Sequence, residues 1–324
     1  MADRRLTAED RLRAEYNALL HDTGLQERGD VADDPLLGAA ARSFDRIAED
    51  FRRTLRDAGI ALPGAVLVGE YPHSALNAQA RAARHGTLIL VNTGFTTLVH
   101  EICKAHGLSV RMPSHEVFVK QLDFADSEAD RHRNRTADGA VASVVLAYLL
   151  RGDARFGVRL PPDTGRSNRL AWALADATTR FVIAHEIAHL LEGHLDRPGQ
   201  RAGSNRRFST RDRELQADET GALLCLRALS DPGDDVLTYV TVAGPLIFLA
   251  IDHLVTRVRR ELDGLPPGLR VSDYPSSDER GSRLRSLFQG IYRSSALQIA
   301  DACVYWLSWR EDGILAEADR LLRG

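Results

Sequence analysis

Between Phe181 and Leu195 the chain carries apolar residues at helical spacing (Val182, Ile183, Ile187, Leu190, Leu191), and threaded through them is the run His185-Glu186-Ile187-Ala188-His189. A helix turns about 100° per residue, so two histidines four apart project from one face, one above the other. Glu186 lies about a quarter-turn round the same cylinder. Two imidazoles so placed can put their nitrogens on a single metal ion, while the carboxylate reaches a water on the open side and takes its proton. Helical histidines are more often hydrogen-bonded core or surface residues, and with eleven in the chain the pattern can arise by chance. The surroundings of the run therefore decide its meaning.

Downstream, Glu214-Leu215-Gln216-Ala217-Asp218 opens an acidic helix that continues into Leu223, Leu224 and Leu226. His-His-Glu is a standard ligand set for catalytic zinc, so Glu214 is the expected third ligand to His185 and His189. Asp218, one turn on, is placed to accept the other ring N–H of a ligand histidine, fixing its tautomer and raising its basicity. Taken alone, Glu214, Asp218 and Glu219 read as ordinary acids near a helix N-terminus. His194 and Asp196 are other possible third ligands. Gly193 and His194 fall four and five residues after His189, out of register with the extended motif H-E-x-x-H-x-x-G-x-x-H. His194 reads better as a helix-end residue, and Asp196 as the weaker choice of ligand.

The first sixty residues read as helical, with Phe44, Ile47, Phe51 and Leu55 three and four apart and Gly59 as a stop, and are expected to cover one side of the core. Ala65-Val-Leu-Val-Gly and Thr87-Leu-Ile-Leu-Val read as short strands. Thr87–Asn92 is either a cleft-side edge strand, to which an extended peptide could add through main-chain hydrogen bonds, or an interior strand. Residues 125–139, rich in charge, read as a surface loop before a helix over Ala140–Leu150. A second loop, Leu195 to Arg213, contains Arg197, Arg201, Arg206, Arg207, Arg211 and Arg213; it could favour an acidic substrate, although charge-rich loops are commonly just solvated. Val236–Ile251 is the longest apolar run, interrupted by Gly244-Pro245, and reads as a buried core helix with no integral membrane segment.

With 324 residues, 44% of them hydrophobic and 27% charged, the chain can bury the core of one large domain or two small ones. A net charge of −3 argues against a general nucleic-acid binder, for which a basic face is expected. Three widely spaced cysteines, Cys103, Cys225 and Cys303, suggest neither a disulfide framework nor a thiolate metal site, and fit a reducing cytoplasm. The N-terminus lacks the apolar core of a secretory signal, so a soluble cytoplasmic protein is expected.

These segments together resemble the gluzincin metallopeptidases, nearest the CAAX prenyl endopeptidase type and the soluble phage-exclusion peptidases. His185, Glu186 and His189 match the family's zinc helix, and Glu214-x-x-Ala217-Asp218 its second motif. Upstream, Asn77-Ala78 and Gly86-Thr-Leu-Ile-Leu-Val-Asn-Thr-Gly94-Phe95 are similar to the strand segment that precedes that helix. Downstream, Tyr274-Pro275-Ser-Ser-Asp-Glu-Arg280 is similar to its H-P-x-x-x-x-R segment, with Tyr274 where histidine is usual. About ninety residues separate Gly94 from His185, longer than the family's connector.

The resemblance implies an α+β, zincin-like fold, mainly α-helical with a small antiparallel sheet beside the H-E-x-x-H helix. It forms one domain over residues 1–324, with 1–60 as a helical cover. It implies a zinc-dependent endopeptidase acting on a protein or peptide substrate, with Zn2+ on His185, His189 and Glu214, Glu186 as general base and Asp218 behind the ligands. Arg280 is the candidate transition-state donor, and Asn77, Leu90 and Asn92 the candidate substrate contacts. The alternatives are a non-catalytic zincin-like sensor or partner-binding protein, in phage defence or regulation, and a purely structural helical protein whose motif is accidental.

Overall fold

The aliphatic runs form strands as expected: β1 (Ala65–Tyr71) and β3 (Gly86–Asn92), with β2 (Ala78–Ala83) between them in sequence. In the sheet the order is β1-β3-β2. β2 returns through the Arg84-His85 turn and pairs antiparallel with β3, and β1 pairs parallel with β3 from the other side. The sheet is therefore mixed, not antiparallel, because the middle strand in sequence makes the return and the two strands running the same way end up adjacent. It also makes β3 the interior strand, with its main chain paired on both sides. β1 and β2 are the edges.

The computed structural model describes residues 6–22, 35–72, 77–109, 128–160, 166–195, 209–229, 236–265, 274–291 and 294–324. Around the sheet they are mostly helical: α1 (Ala8–Asp22), α2 (Pro35–Asp57), α3 (Phe95–Ser109), α4 (Glu128–Arg151), α5 (Arg166–Leu191), α6 (Thr210–Arg227), α7 (Val236–Leu262), α8 (Ser277–Ile291) and α9 (Ser294–Arg323). The chain divides into two compact units, one of Met1–Thr93 with Val182–Ala228 and the other of Gly94–Phe181 with Leu229–Gly324.

In the first unit α1 lies on the sheet face formed by Leu67, Leu88 and Leu90, with Leu12 as its buried anchor. The opposite face carries Val66, Val68, Ile89 and Val91, all buried, as the two-residue period of a strand requires. The Tyr16 hydroxyl donates to the Glu70 carbonyl at 2.6 Å, and Glu15 takes the Arg84 N–H at 3.0 Å and contacts His85, so α1 grips both a strand and the β2–β3 turn. α2 buries Phe44, Ile47, Phe51 and Leu55, the stripe read from the sequence, and Gly59 turns the chain out of it at φ +72°.

The second unit is helical among the described residues. Phe95 and Phe181 both meet the ring of Phe248 in its core. α4 begins at Glu128, so most of the expected loop over 125–139 is helix, and residues 125–127 fall outside the described residues. Its charged turns carry a buried acid, Asp138, that pairs with Arg310 of α9. α7 runs past the expected end at Ile251 to Leu262 and continues through Pro245. Among the described residues one helix segment, Thr238–Leu262, is long and apolar enough to cross a membrane, and 72% of its most apolar stretch is buried within the protein.

Candidate metal centre

The C-terminal turns of α5 and the first half of α6, both in the first unit, bring the motif residues together. His185 and Glu186 are buried, as are Glu214 and Asp218 on α6; His189 is partly buried. Ser209 caps α6 with a reciprocal Ser209/Asp212 capping box, which fixes where the helix starts and hence which residues face α5. Arg211 and Arg213 belong to its opening turns rather than to a loop; Asp196, Arg197, Arg201, Arg206 and Arg207 lie outside the described residues.

Glu214, Asp218 and Gly221 recur at intervals of four and three, so they line one face of α6. Gly221 is the point of closest approach. A Cβ there would come within 2.9 Å of the backbone nitrogen of His185. Its missing side chain lets α6 lie against the α5 backbone where the first ligand sits, and one and two turns earlier Asp218 and Glu214 reach the histidines.

His185 Nε2 and His189 Nε2 stand 3.1 Å apart. Glu214 Oε2 is 3.4 Å from the first and Glu214 Oε1 3.5 Å from the second. Two ligands bound at the usual zinc distances to one tetrahedral ion stand about 3.3–3.5 Å from each other. These three side chains thus form a buried group that could hold a metal ion. Asp218 Oδ1 lies 3.0 Å from His185 Nδ1, the nitrogen turned away from the group. Burial, reinforced by the neighbouring charge of His185, drives the His189 pKa down to about 3, so this imidazole is neutral and available as a ligand.

Glu186 accepts the Ala80 N–H at 2.6 Å. Its partner's direction follows from sheet register. Asn92 N–H donates to the Asn77 carbonyl, which makes residues 77 and 92 a hydrogen-bonded pair; Ala78, Ala80 and Ala82 accordingly point their main-chain groups away from β3. The carboxylate expected to act as base is therefore held by the outward side of an edge strand.

Of the other candidate residues, Asn77 sits at the start of that edge, and Asn92 pairs with it through the backbone. Leu90 lies on the interior strand in the same apolar cluster as Leu12, so of the two readings of Thr87–Asn92 the interior one holds and the edges are β1 and β2. Arg280 is buried in the second unit, its guanidinium 5.7 Å from the Phe248 ring centre, and Tyr274 there is exposed.

Three features went unread in the sequence: the Ala80 N–H, Gly221, and the role of His194. α5 ends in a Schellman turn, with His194 N–H bonded to the His189 carbonyl at 2.8 Å, Gly193 N–H to that of Leu190 at 3.3 Å, and Gly193 at φ +69°. In this motif the residue after the glycine returns onto the side chain three positions before the helix end. His194 Nδ1 accordingly lies 3.0 Å from His189 Nδ1. The glycine four residues after His189 was the available signal.

Comparison of the chain with protein-family models, with curated proteins and with solved structures finds no match to any of them.

Proposed function

We propose that this protein is a zinc-dependent peptidase of the gluzincin kind, with His185, His189 and Glu214 as ligands and Glu186 as general base. The observation that carries the reading is the convergence of two imidazole nitrogens and a carboxylate at 3.1, 3.4 and 3.5 Å, with a second carboxylate on the adjacent helix position. A zinc ion in such a set supplies Lewis acidity, polarising a carbonyl and lowering the pKa of a water.

The protein's own groups do the rest. Asp218 Oδ1 stands 3.0 Å from His185 Nδ1, a charge on the side of the ring away from the ligand position that favours the proton on Nδ1 and leaves Nε2 for the ion. Glu186, steadied by Ala80, takes the proton from the attacking water and passes it to the leaving amine. An extended peptide lying along the outward side of β2 would find the main-chain groups of Ala78 and Ala82 on either side of the Ala80–Glu186 bond, which positions it beside the base. Three buried free cysteines support a reducing, cytoplasmic setting.

The test is Glu186→Gln. This variant should retain metal and lose about 10²–10⁴-fold in turnover. Cleaved proteins should appear by mass spectrometry on expression of wild type and disappear in the variant; equal cleavage in both would sink the assignment. A second reading, a non-catalytic zincin-like sensor or partner-binding protein in defence or regulation, is favoured by Tyr274 standing where the resemblance has histidine. It predicts metal in both proteins and cleavage in neither.

A further inference from the structure

The edge strand that holds Glu186 carries a single charge. β2 reads Ala78-Gln-Ala-Arg-Ala-Ala83, and Arg81 is its one ionised side chain. Ala78, Ala80 and Ala82 turn their main-chain groups outward; Gln79 and Arg81, between them, pair with Leu90 and Leu88 of β3. Paired positions share a face, so Gln79 and Arg81 stand on the side of the sheet where Leu88 and Leu90 meet Leu12 of α1. Both are nevertheless exposed, so α1 leaves this margin of the face uncovered. The Arg81 guanidinium has no hydrogen bond or ion pair among the described residues. Glu15 of α1 is committed instead to the Arg84 N–H and to His85. At the opposite edge, β1, the carbonyls of Val66 and Glu70 already accept from Arg52 at 3.1 Å and from the Tyr16 hydroxyl at 2.6 Å. That leaves β2 as the edge with main-chain groups to offer a peptide, and Arg81 as the charge the peptide meets there.

We propose that Arg81 is a specificity-determining residue that selects an acidic side chain in a peptide lying along β2. The inference rests on the peptidase reading and names its substrate class: an extended peptide with Asp or Glu at one fixed place relative to the cleaved bond. A strand added along β2, in either direction, sets the residue beside Arg81 on the same face of the sheet, within side-chain reach. Opposite charges paired in this way are stabilising and like charges destabilising. The neighbouring positions meet Gln79 and alanines, which make no such choice. Ala80, next to Arg81 in the chain, bonds Glu186 at 2.6 Å, so the selected residue lies near the base and at a constant distance from the bond it helps to cut.

Digestion of a proteome-derived peptide library by the full chain supplied with zinc, read by mass spectrometry for residue frequencies around each cleaved bond, tests this. Wild type should enrich Asp and Glu over Lys and Arg by about 2–5-fold at one position. Arg81→Glu should move the enrichment to Lys and Arg at that same position, and Arg81→Gln should flatten it. A substitution that only loosened the strand would lower cleavage without exchanging one charge preference for the other. Cleavage with no acidic enrichment in wild type, or with the same preference in all three proteins, overturns the inference alone. Cleavage that is absent in wild type, or equal in Glu186→Gln, overturns the peptidase reading and the inference with it.

Discussion

His189 is a partly buried imidazole beside His185 and His194, and desolvation holds its pKa down to about 3. His106, in the second unit, is likewise driven down to about 4 by burial, and neither of its ring nitrogens has a hydrogen-bond partner among the described residues. An unfolded chain takes up these protons near pH 6.5, so below that pH the unfolded state binds protons that the fold refuses. Stability conferred by the neutral rings is therefore full above about pH 6.5 and declines as pH falls toward the folded values. Between pH 7 and pH 5 each histidine should cost its own unit about 2 kcal/mol in the metal-free protein. Urea unfolding at the two pH values measures this, and equal stability would contradict the buried neutral assignment. At this scale the sequence was most legible where chemistry is local: His185, Glu186 and His189 lie on one helical turn, and Glu214 and Asp218 on another. Ala80 and His194 were not legible, because one acts through a backbone group selected by sheet register and the other through a turn.

α5 and α6 meet because Gly221 has no side chain where the His185 backbone passes. Gly221→Ala places a carbon 2.9 Å from that nitrogen, and Gly221→Val adds branches that cannot avoid it. The expected cost is about 1–3 kcal/mol for alanine and more for valine, with metal affinity falling alongside as Glu214 and Asp218 are pushed off the histidines. Thermal unfolding with parallel metal titration checks both; a Gly221→Val protein with wild-type melting and binding would show that the helices are free to separate at this point. Element type was largely readable where patterns are strong, as in the α2 stripe and the aliphatic strands; the start of α6 was not, since Arg211 and Arg213 read as loop. Element placement was not. β3 is interior and β2 the edge because pairing order is a long-range choice, and the aliphatic run of β3 is what burial on both faces leaves in a sequence. The first turns of α4 are dense in charge and read as loop, yet Asp138 among them is buried against Arg310, a partner 172 positions away.

The two compact units are each assembled from two separated stretches of chain, a division set by long-range contacts and invisible to local pattern. All the proposed metal ligands, their supports and the edge strand fall in the first unit, while the segment ending at Arg280 falls in the second. In the proposed site His185, His189 and Glu214 hold one zinc ion rather than sharing a proton between neighbouring rings. Elemental analysis of the full chain, purified without added zinc or a metal-affinity column, tests it most directly when Glu214→Ala is measured beside wild type. About one tightly held zinc per wild-type chain is expected, lost or much weakened in the variant. No stoichiometric metal in the wild type, even after reconstitution with zinc, would contradict it.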